Sequence, residues 1–200
     1  MSTQTQMKIY GSPMSRASRA MWCAKELGVP FEHVDVPWDK LKEPSFLAIN
    51  PNGKVPGFVD GNLKLFESLA INLYIAKKYG TGKLYPTNIE DEGRVFQWTL
   101  WAATEVEPLL LPSVMVKFGM SQDAAGAKAA ADKAKVPLKV LEDHLKGRQW
   151  LVGNAFSVAD LNVSAVLSMA TYGDVDISYV PNVKAWLERC TARQGGNVGH

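Results

Sequence analysis

The stretch from Asn50 to Gly80, NPNGKVPGFVDGNLKLFESLAINLYIAKKYG, limits the fold more than any other part of the chain, because turn, strand, turn, strand and helix signals follow one another with little slack. Pro51, Asn52 and Gly53 make a turn. Lys54-Val55-Pro56 leads into Gly57-Phe58-Val59, an alternation long enough only for a short strand, and the proline puts it at a strand start or edge. Asp60-Gly61 favours a tight hairpin turn, with Leu63 to Phe66 returning as the second strand. Glu67-Ser68 then stands directly before a helix over Leu69 to Tyr79, in which Ile71, Tyr74 and Ile75 fall at helical spacing. Ser68 predicts an N-cap and Gly80 a left-handed cap at the far end.

N–H groups at a helix start attract a carboxylate, and the neighbouring Glu67 attracts an ammonium group. Together they suit the alpha-amino acid end of a small anionic peptide. A Val55-Pro56 bond in the cis form would turn the Val55 N–H and C=O toward a ligand backbone, which would then pair like an added strand. The same residues also read as a hairpin packed on a capped helix with no ligand at all.

In this order, Val55-Pro56, the hairpin and the Glu67-Ser68 dipeptide resemble the glutathione transferase family, whose thioredoxin-like domain carries a cis-proline turn, a hairpin, and an "ES" or "QS" dipeptide opening a helix. The resemblance extends along nearly the whole chain. It implies glutathione bound through Lys54, Val55, Glu67 and Ser68. It also implies a basic residue on the segment Asp39 to Asn50, which reads as an irregular helix broken near Pro44. Lys42 aligns there, with Lys40 as its neighbour, and a merely solvated surface lysine is the other reading.

The flanking segments agree. Met7 to Tyr10 predicts a strand, Gly11 to Met14 a loop, Ser15 to Leu27 a helix capped by Gly28, and Phe31 to Val36 a strand. Strand, helix and strand make a parallel pair with a right-handed crossover, to which the hairpin adds two antiparallel strands. The expected fold is an α/β thioredoxin-like N-terminal domain with a mixed four-stranded sheet, residues 1–80. From Thr81 to Asn88 the composition shifts to Gly, Pro, Thr and Asn, which marks a linker at 81–89. An all-helical domain over 90–200 follows, expected to supply the second-substrate pocket.

In that part, Arg94 to Glu107 carries Trp98, Trp101, Ala102 and Glu105 on one stripe, with Pro108 and Pro112 disturbing its end. The resemblance places this helix beside the second substrate, whereas an aromatic stripe also reads as core; Val106, Leu109 and Met115 stand equally open. Pro137 should kink or split the stretch Ala124 to Lys146. Ser157 to Asp160 reads as a structural capping box, similar to the family's "S-x-A-D". Pro181 to Cys190 makes a last helix with Trp186 inward. The chain ends in GGNVGH where many relatives continue, which suggests an open second-substrate pocket.

Composition narrows the partners. A net charge of +2 with 21% charged residues provides no basic stripe for nucleic acid. The polar start MSTQTQ lacks a secretion signal, and no eighteen apolar residues run together, so a cytoplasmic protein without a membrane segment is expected. Cys23 and Cys190 stand far apart and outside any metal-ligand spacing, so neither a disulfide nor a metal is expected.

Chemistry then turns on activating the glutathione thiol. A free thiol with a pKa of about 8.5 is only a few per cent ionised at neutral pH. A hydroxyl donating to sulfur, together with a helix start, favours the anion without a general base. Gly11-Ser12-Pro13-Met14-Ser15, followed by Arg19, looks like the loop of the serine-using phi and theta branches, with Ser15 at the catalytic position. Tyr10 occupies the place of the phenol in the tyrosine-using branches, and Ser12 is a third candidate; a plain helix cap is what Ser15 reads as by itself. No thiol stands in this loop, which sets aside the cysteine-using branches. The resemblance implies a homodimeric glutathione transferase joining glutathione to small hydrophobic electrophiles. The alternatives are a glutathione-dependent isomerase, dehalogenase or peroxidase, and a non-catalytic module that binds glutathione or a protein.

Overall fold

The computed structural model describes residues 7–196; the polar start MSTQTQ and the end of the GGNVGH run lie outside the described residues. The chain forms two compact units, one running through Tyr85 and taking in the described residues from Arg193 onward, the other Pro86–Ala192. The first unit thus reaches past the expected limit at residue 80, because the Gly80 carbonyl accepts from the N–H groups of Lys83, Leu84 and Tyr85 and holds this segment in place. Arg193 joins the first unit by donating from Nε to Glu26 Oε1 at 2.8 Å.

The first unit contains β1 (Met7–Tyr10), α1 (Ala17–Glu26), β2 (Phe31–Val34), a 3-10 turn (Trp38–Lys40), α2 (Pro44–Leu47), β3 (Gly57–Asp60), β4 (Leu63–Leu65) and α3 (Ser68–Gly80). The strands lie in the order β2-β1-β3-β4, with β1 parallel to β2 and the other pairs antiparallel. This is the mixed four-stranded sheet of a thioredoxin-like domain. Met7 and Ile9 alternate into the core, and Ile9 lies opposite Phe58, which is also fully buried. α1 and α3 pack against each other.

Several local expectations change. The helix expected from Ser15 begins at Ala17, after a turn over Pro13 to Arg16. Ser68 is not the N-cap of α3 but its first helical residue; Glu67 caps the helix by turning to φ 68°, which lets its carbonyl accept from the Ile71 N–H at 2.9 Å. Gly80 is not a left-handed cap either. It lies within α3, where a Cβ would stand 2.7 Å from Leu27 Cδ2, so a larger residue there would make that side chain shift. Gly61, at φ 61°, and Asn62 form the hairpin loop between the paired Asp60 and Leu63.

The second unit comprises α4 (Ile89–Trp101), a π-helical turn (Ala102–Val106), α5 (Glu107–Lys117), α6 (Ala124–Lys133), α7 (Lys135–His144), α8 (Val158–Tyr172) and α9 (Pro181–Thr191). The disturbance near Pro108 and Pro112 takes the form of a π turn ahead of Pro108, which adds slack where the missing N–H would break the ladder, and α5 continues through both prolines. The break attributed to Pro137 falls at Ala134. That position leaves the proline in the first turn of α7, where an N–H would have no intrahelical partner anyway. Asp160, fully buried, accepts from the Ser157 N–H and hydroxyl (both 3.0 Å), the Leu151 N–H (2.8 Å) and Trp186 Nε1 (2.9 Å), so the capping box also holds α9. Burial pushes its carboxyl above the usual range while those donors pull the other way. Glu142 of α7 likewise accepts from the N–H groups of Asn182 and Val183 at the start of α9.

A second carboxylate organises the first unit. Oδ2 of Asp60, at the end of β3, accepts from Tyr74 Oη (2.8 Å), Tyr79 Oη (2.8 Å) and Lys78 Nζ (2.6 Å), tying the hairpin to α3. Burial opposes the Asp60 charge, yet donation by Lys78, Tyr79 and Tyr74 prevails and holds the carboxyl below its ordinary range. A group depressed in this way stabilises the fold above its unfolded pKa and loses that contribution as pH falls through the folded value. Asp60→Asn should therefore cost about 1–3 kcal/mol at pH 7, with the difference from wild type shrinking below about pH 4. Urea unfolding of both proteins from pH 7 to pH 3 tests this, and a pH-independent difference would contradict it.

Candidate functional site

Two stretches of the first unit touch, the turn after β1 and the loop before β3, and α1, which follows that turn, is bonded to the start of α3. Gly11 ends β1 at φ 128°, and its N–H donates to the Val34 carbonyl at 2.9 Å. A Cβ there would stand 2.8 Å from Val55 Cβ and 3.1 Å from Ala17 Cβ, so only glycine lets the two loops touch. Beyond it the Ser12 carbonyl accepts from the Ser15 N–H (2.9 Å) and from the Ser15 hydroxyl (2.6 Å), while Ser15 Oγ accepts from the Ala17 N–H at 3.2 Å. Ser15 therefore stands on a closed turn ahead of α1, with its oxygen already polarised by a backbone N–H. Ser12 Oγ accepts from the Met14 N–H at 3.2 Å. The half-buried ring of Tyr10 leans on Phe46, with centroids 6.5 Å apart, as a packing side chain does.

The Val55-Pro56 peptide bond is cis. Asn50, nearly fully buried, organises this loop: its amide donates to the carbonyls of Lys54 and of Pro56, and its Oδ1 accepts from the Asn52 N–H at 3.0 Å. The residues on either side of Val55 are thus tied. Among the described residues, no protein group takes the N–H or C=O of Val55 itself. Asn50 escaped the sequence reading; its signal is an Asn ahead of Pro51, a pattern typical of side chain to backbone turns.

Glu67 is exposed, makes no capping bond and holds a left-handed backbone that costs a non-glycine residue about 1–3 kcal/mol. Ser68 beside it is buried, and its Oγ accepts from Arg19 Nη1 at 3.3 Å. The Ser68 hydroxyl proton remains available for donation. Arg19, named in the sequence only as the residue following the serine loop, links α1 to the start of α3. Lys42 lies over the Pro51 to Gly53 turn, donating to the Asn52 carbonyl at 3.1 Å. Lys54 is exposed and makes no ion pair among the described residues.

The other candidates separate from this cluster. Cys23 is buried with its Sγ 3.6 Å from the Asn72 carbonyl, and burial pushes its thiol well up, so it is no reactive thiolate. Among the described residues no group of acidic, His or Cys side chains is arranged to hold a metal ion. In the helical unit Trp98 is buried between Trp101 (5.0 Å) and His144 (4.6 Å), and Val106 is fully buried; Trp101, Leu109 and Met115 stay partly exposed.

Residues 5–77 match the family described as glutathione S-transferase, N-terminal domain, and residues 102–194 match glutathione S-transferase, C-terminal domain. Glutathione S-transferase F9 of Arabidopsis thaliana is 34% identical over 202 residues, covering 94% of this chain and 93% of its own length. Among solved structures, glutathione transferase F7 of Populus trichocarpa superposes with a TM-score of 0.83 at 33% identity, covering 95% of each chain. A glutathione S-transferase-I bound with lactoylglutathione reaches 0.86 at 30% identity, covering 97% of this chain and 98% of that one. With both halves of the chain matched and the likeness extending over almost its whole length, the protein belongs to the glutathione S-transferase family.

Proposed function

We propose that the chain is a glutathione transferase in which Ser15 activates the thiol and Lys42, Lys54, Val55, Glu67 and Ser68 hold the tripeptide. The observation that carries this reading is the open backbone of Val55, whose side chain packs on Gly11 of the Ser15 turn, together with Glu67-Ser68 opening a helix tied through Arg19 to α1. The Val55 N–H and C=O suit the ligand backbone in strand-like pairing. Glu67 suits the ammonium group, Ser68 and the α3 start the adjoining carboxylate, and Lys42 or Lys54 the far carboxylate.

The Ser15 hydroxyl exchanges the Ser12 carbonyl for the glutathione sulfur and donates to it. A donor to the anion lowers the thiol pKa, and a fall of about two from 8.5 makes the thiol mostly thiolate at pH 7. The thiolate then attacks an electrophilic carbon of a small hydrophobic substrate, a C–S bond forms as the leaving group departs with its electron pair, and a thioether results. This chemistry requires no metal. A cytoplasmic place fits the two free cysteines, both buried. Among the described residues no helix is long and apolar enough to cross a membrane.

Ser15→Ala should raise the pKa of bound glutathione thiol by about one and lower kcat near pH 6.5 about tenfold, with glutathione still bound. Ultraviolet titration of the thiolate and steady-state rates measure both, and an unchanged Ser15→Ala would transfer the role to Tyr10 or Ser12. Calorimetry with millimolar glutathione tests the site itself, since no heat of association would end the whole reading. A panel of halogenated aromatics, epoxides, isothiocyanates and peroxides then separates conjugation from peroxidase activity and from mere binding.

A homodimer accounts for the open face of α4. Ile89 (71% exposed), Gly93, Phe96 and Leu100 (63% exposed) recur at helical spacing along it, an apolar stripe next to which Gly93 has open space. Paired across a two-fold axis, such stripes bury one another. Wild type should sediment as a dimer and the double variant Phe96→Glu, Leu100→Glu as a folded monomer; a monomeric wild type would refute the assignment.

A further inference from the structure

We propose that His33 is a positioning residue for the thiol-activating turn, holding the Gly11–Ser12 peptide at the angle that presents Ser15. The inference rests on the proposed role of Ser15 and names a residue outside the ligand-holding set.

His33 lies on β2, paired in register with Ile9, two residues before Gly11. Residues two apart on a strand share a face, so the ring reaches past the end of β1. There His33 Nε2 stands 2.8 Å from the Gly11 carbonyl oxygen. A carbonyl oxygen only accepts, so Nε2 carries the proton and donates whether the ring is neutral or charged.

Both ends of Gly11 are therefore held by β2: its N–H by the Val34 carbonyl at 2.9 Å and its C=O by His33. The Gly11 carbonyl and the Ser12 N–H belong to one rigid peptide plane. That plane is the frame from which the Ser12 φ and ψ angles direct the next carbonyl, that of Ser12, which accepts from the Ser15 N–H at 2.9 Å and from the Ser15 hydroxyl at 2.6 Å. Gly11 has no side chain to set its own angle, and its φ of 128° is open to glycine alone, so an outside donor is the natural restraint on this hinge. The neighbouring Glu32 side chain is occupied elsewhere, paired with Lys8 Nζ at 2.9 Å. The His33 bond is thus a specific link between the edge strand and the reacting loop.

His33→Phe keeps a ring but loses the donor, and His33→Gln restores an N–H. For His33→Phe the expected result is a three- to tenfold fall in kcat with a halogenated aromatic, the loss of one hydrogen bond expressed as a rate. A raised pKa of the bound glutathione thiol should accompany it, with KM for glutathione changed less than about twofold. His33→Gln should recover most of both. A merely structural role would lower the melting temperature and leave the bound thiol pKa where it was, and that outcome overturns the proposal. Unchanged kcat and thiol pKa in His33→Phe, beside a clear effect of Ser15→Ala, would remove His33 and leave the role of Ser15 standing. Failure of the wild type to bind glutathione would remove both.

Discussion

The approach of Gly11 to Val55 is the constraint on which the site depends. At 2.8 Å from a hypothetical Cβ to Val55 Cβ, the first residue after β1 has no room for a side chain, and its φ of 128° excludes one as well. Space and backbone angle make the same demand, and meeting it sets the turn that carries Ser15 directly against the loop that carries Pro56. Arg19, one helical turn further on, then reaches Ser68 and joins the third stretch to the other two. Moving the loops apart to admit a methyl group would disturb all three at once.

Buried carboxylates and amides fasten the elements of both units. Buried donors and acceptors are nearly always satisfied within a protein. In the helical unit Asp160 gathers four donors and Glu142 caps α9, and in the first unit Asp60 gathers three. Asn50 does the same for the carbonyls of Lys54 and Pro56. Among the described residues the backbone of Val55 is left without a protein partner, and Glu67 caps α3 through its carbonyl at a strained angle while its exposed carboxylate makes no capping bond.

Much of the fold was legible because short-range signals agreed with one another. The Gly57 to Leu65 hairpin, the Ser157 to Asp160 box and the inward Trp186 all follow from local pattern, since turn chemistry, capping and periodicity act within a few residues. The misplaced boundaries share one cause. Ser68 reads as a cap and Gly80 as a left-handed cap by local rules, but a strained Glu67 takes the capping position and Gly80 stays helical at the end of α3. Asn50 and His33 went unnoticed, and the partner of Arg19 unforeseen, because each acts on a backbone or side chain that only folding brings near.

The amino-acid sequence by itself determined the order of elements and the family, because these depend on residue type and spacing. Tertiary structure alone decided which residues meet. The sequence separations of 49 from Arg19 to Ser68 and of 22 from Gly11 to His33 carry no short-range signal, and the pairs form only when the crossover brings β2 beside β1 and packs α1 on α3. Hydrogen bonds act over about 3 Å, so a contact between distant positions is a property of the packed sheet and helices rather than of any segment that contributes to it.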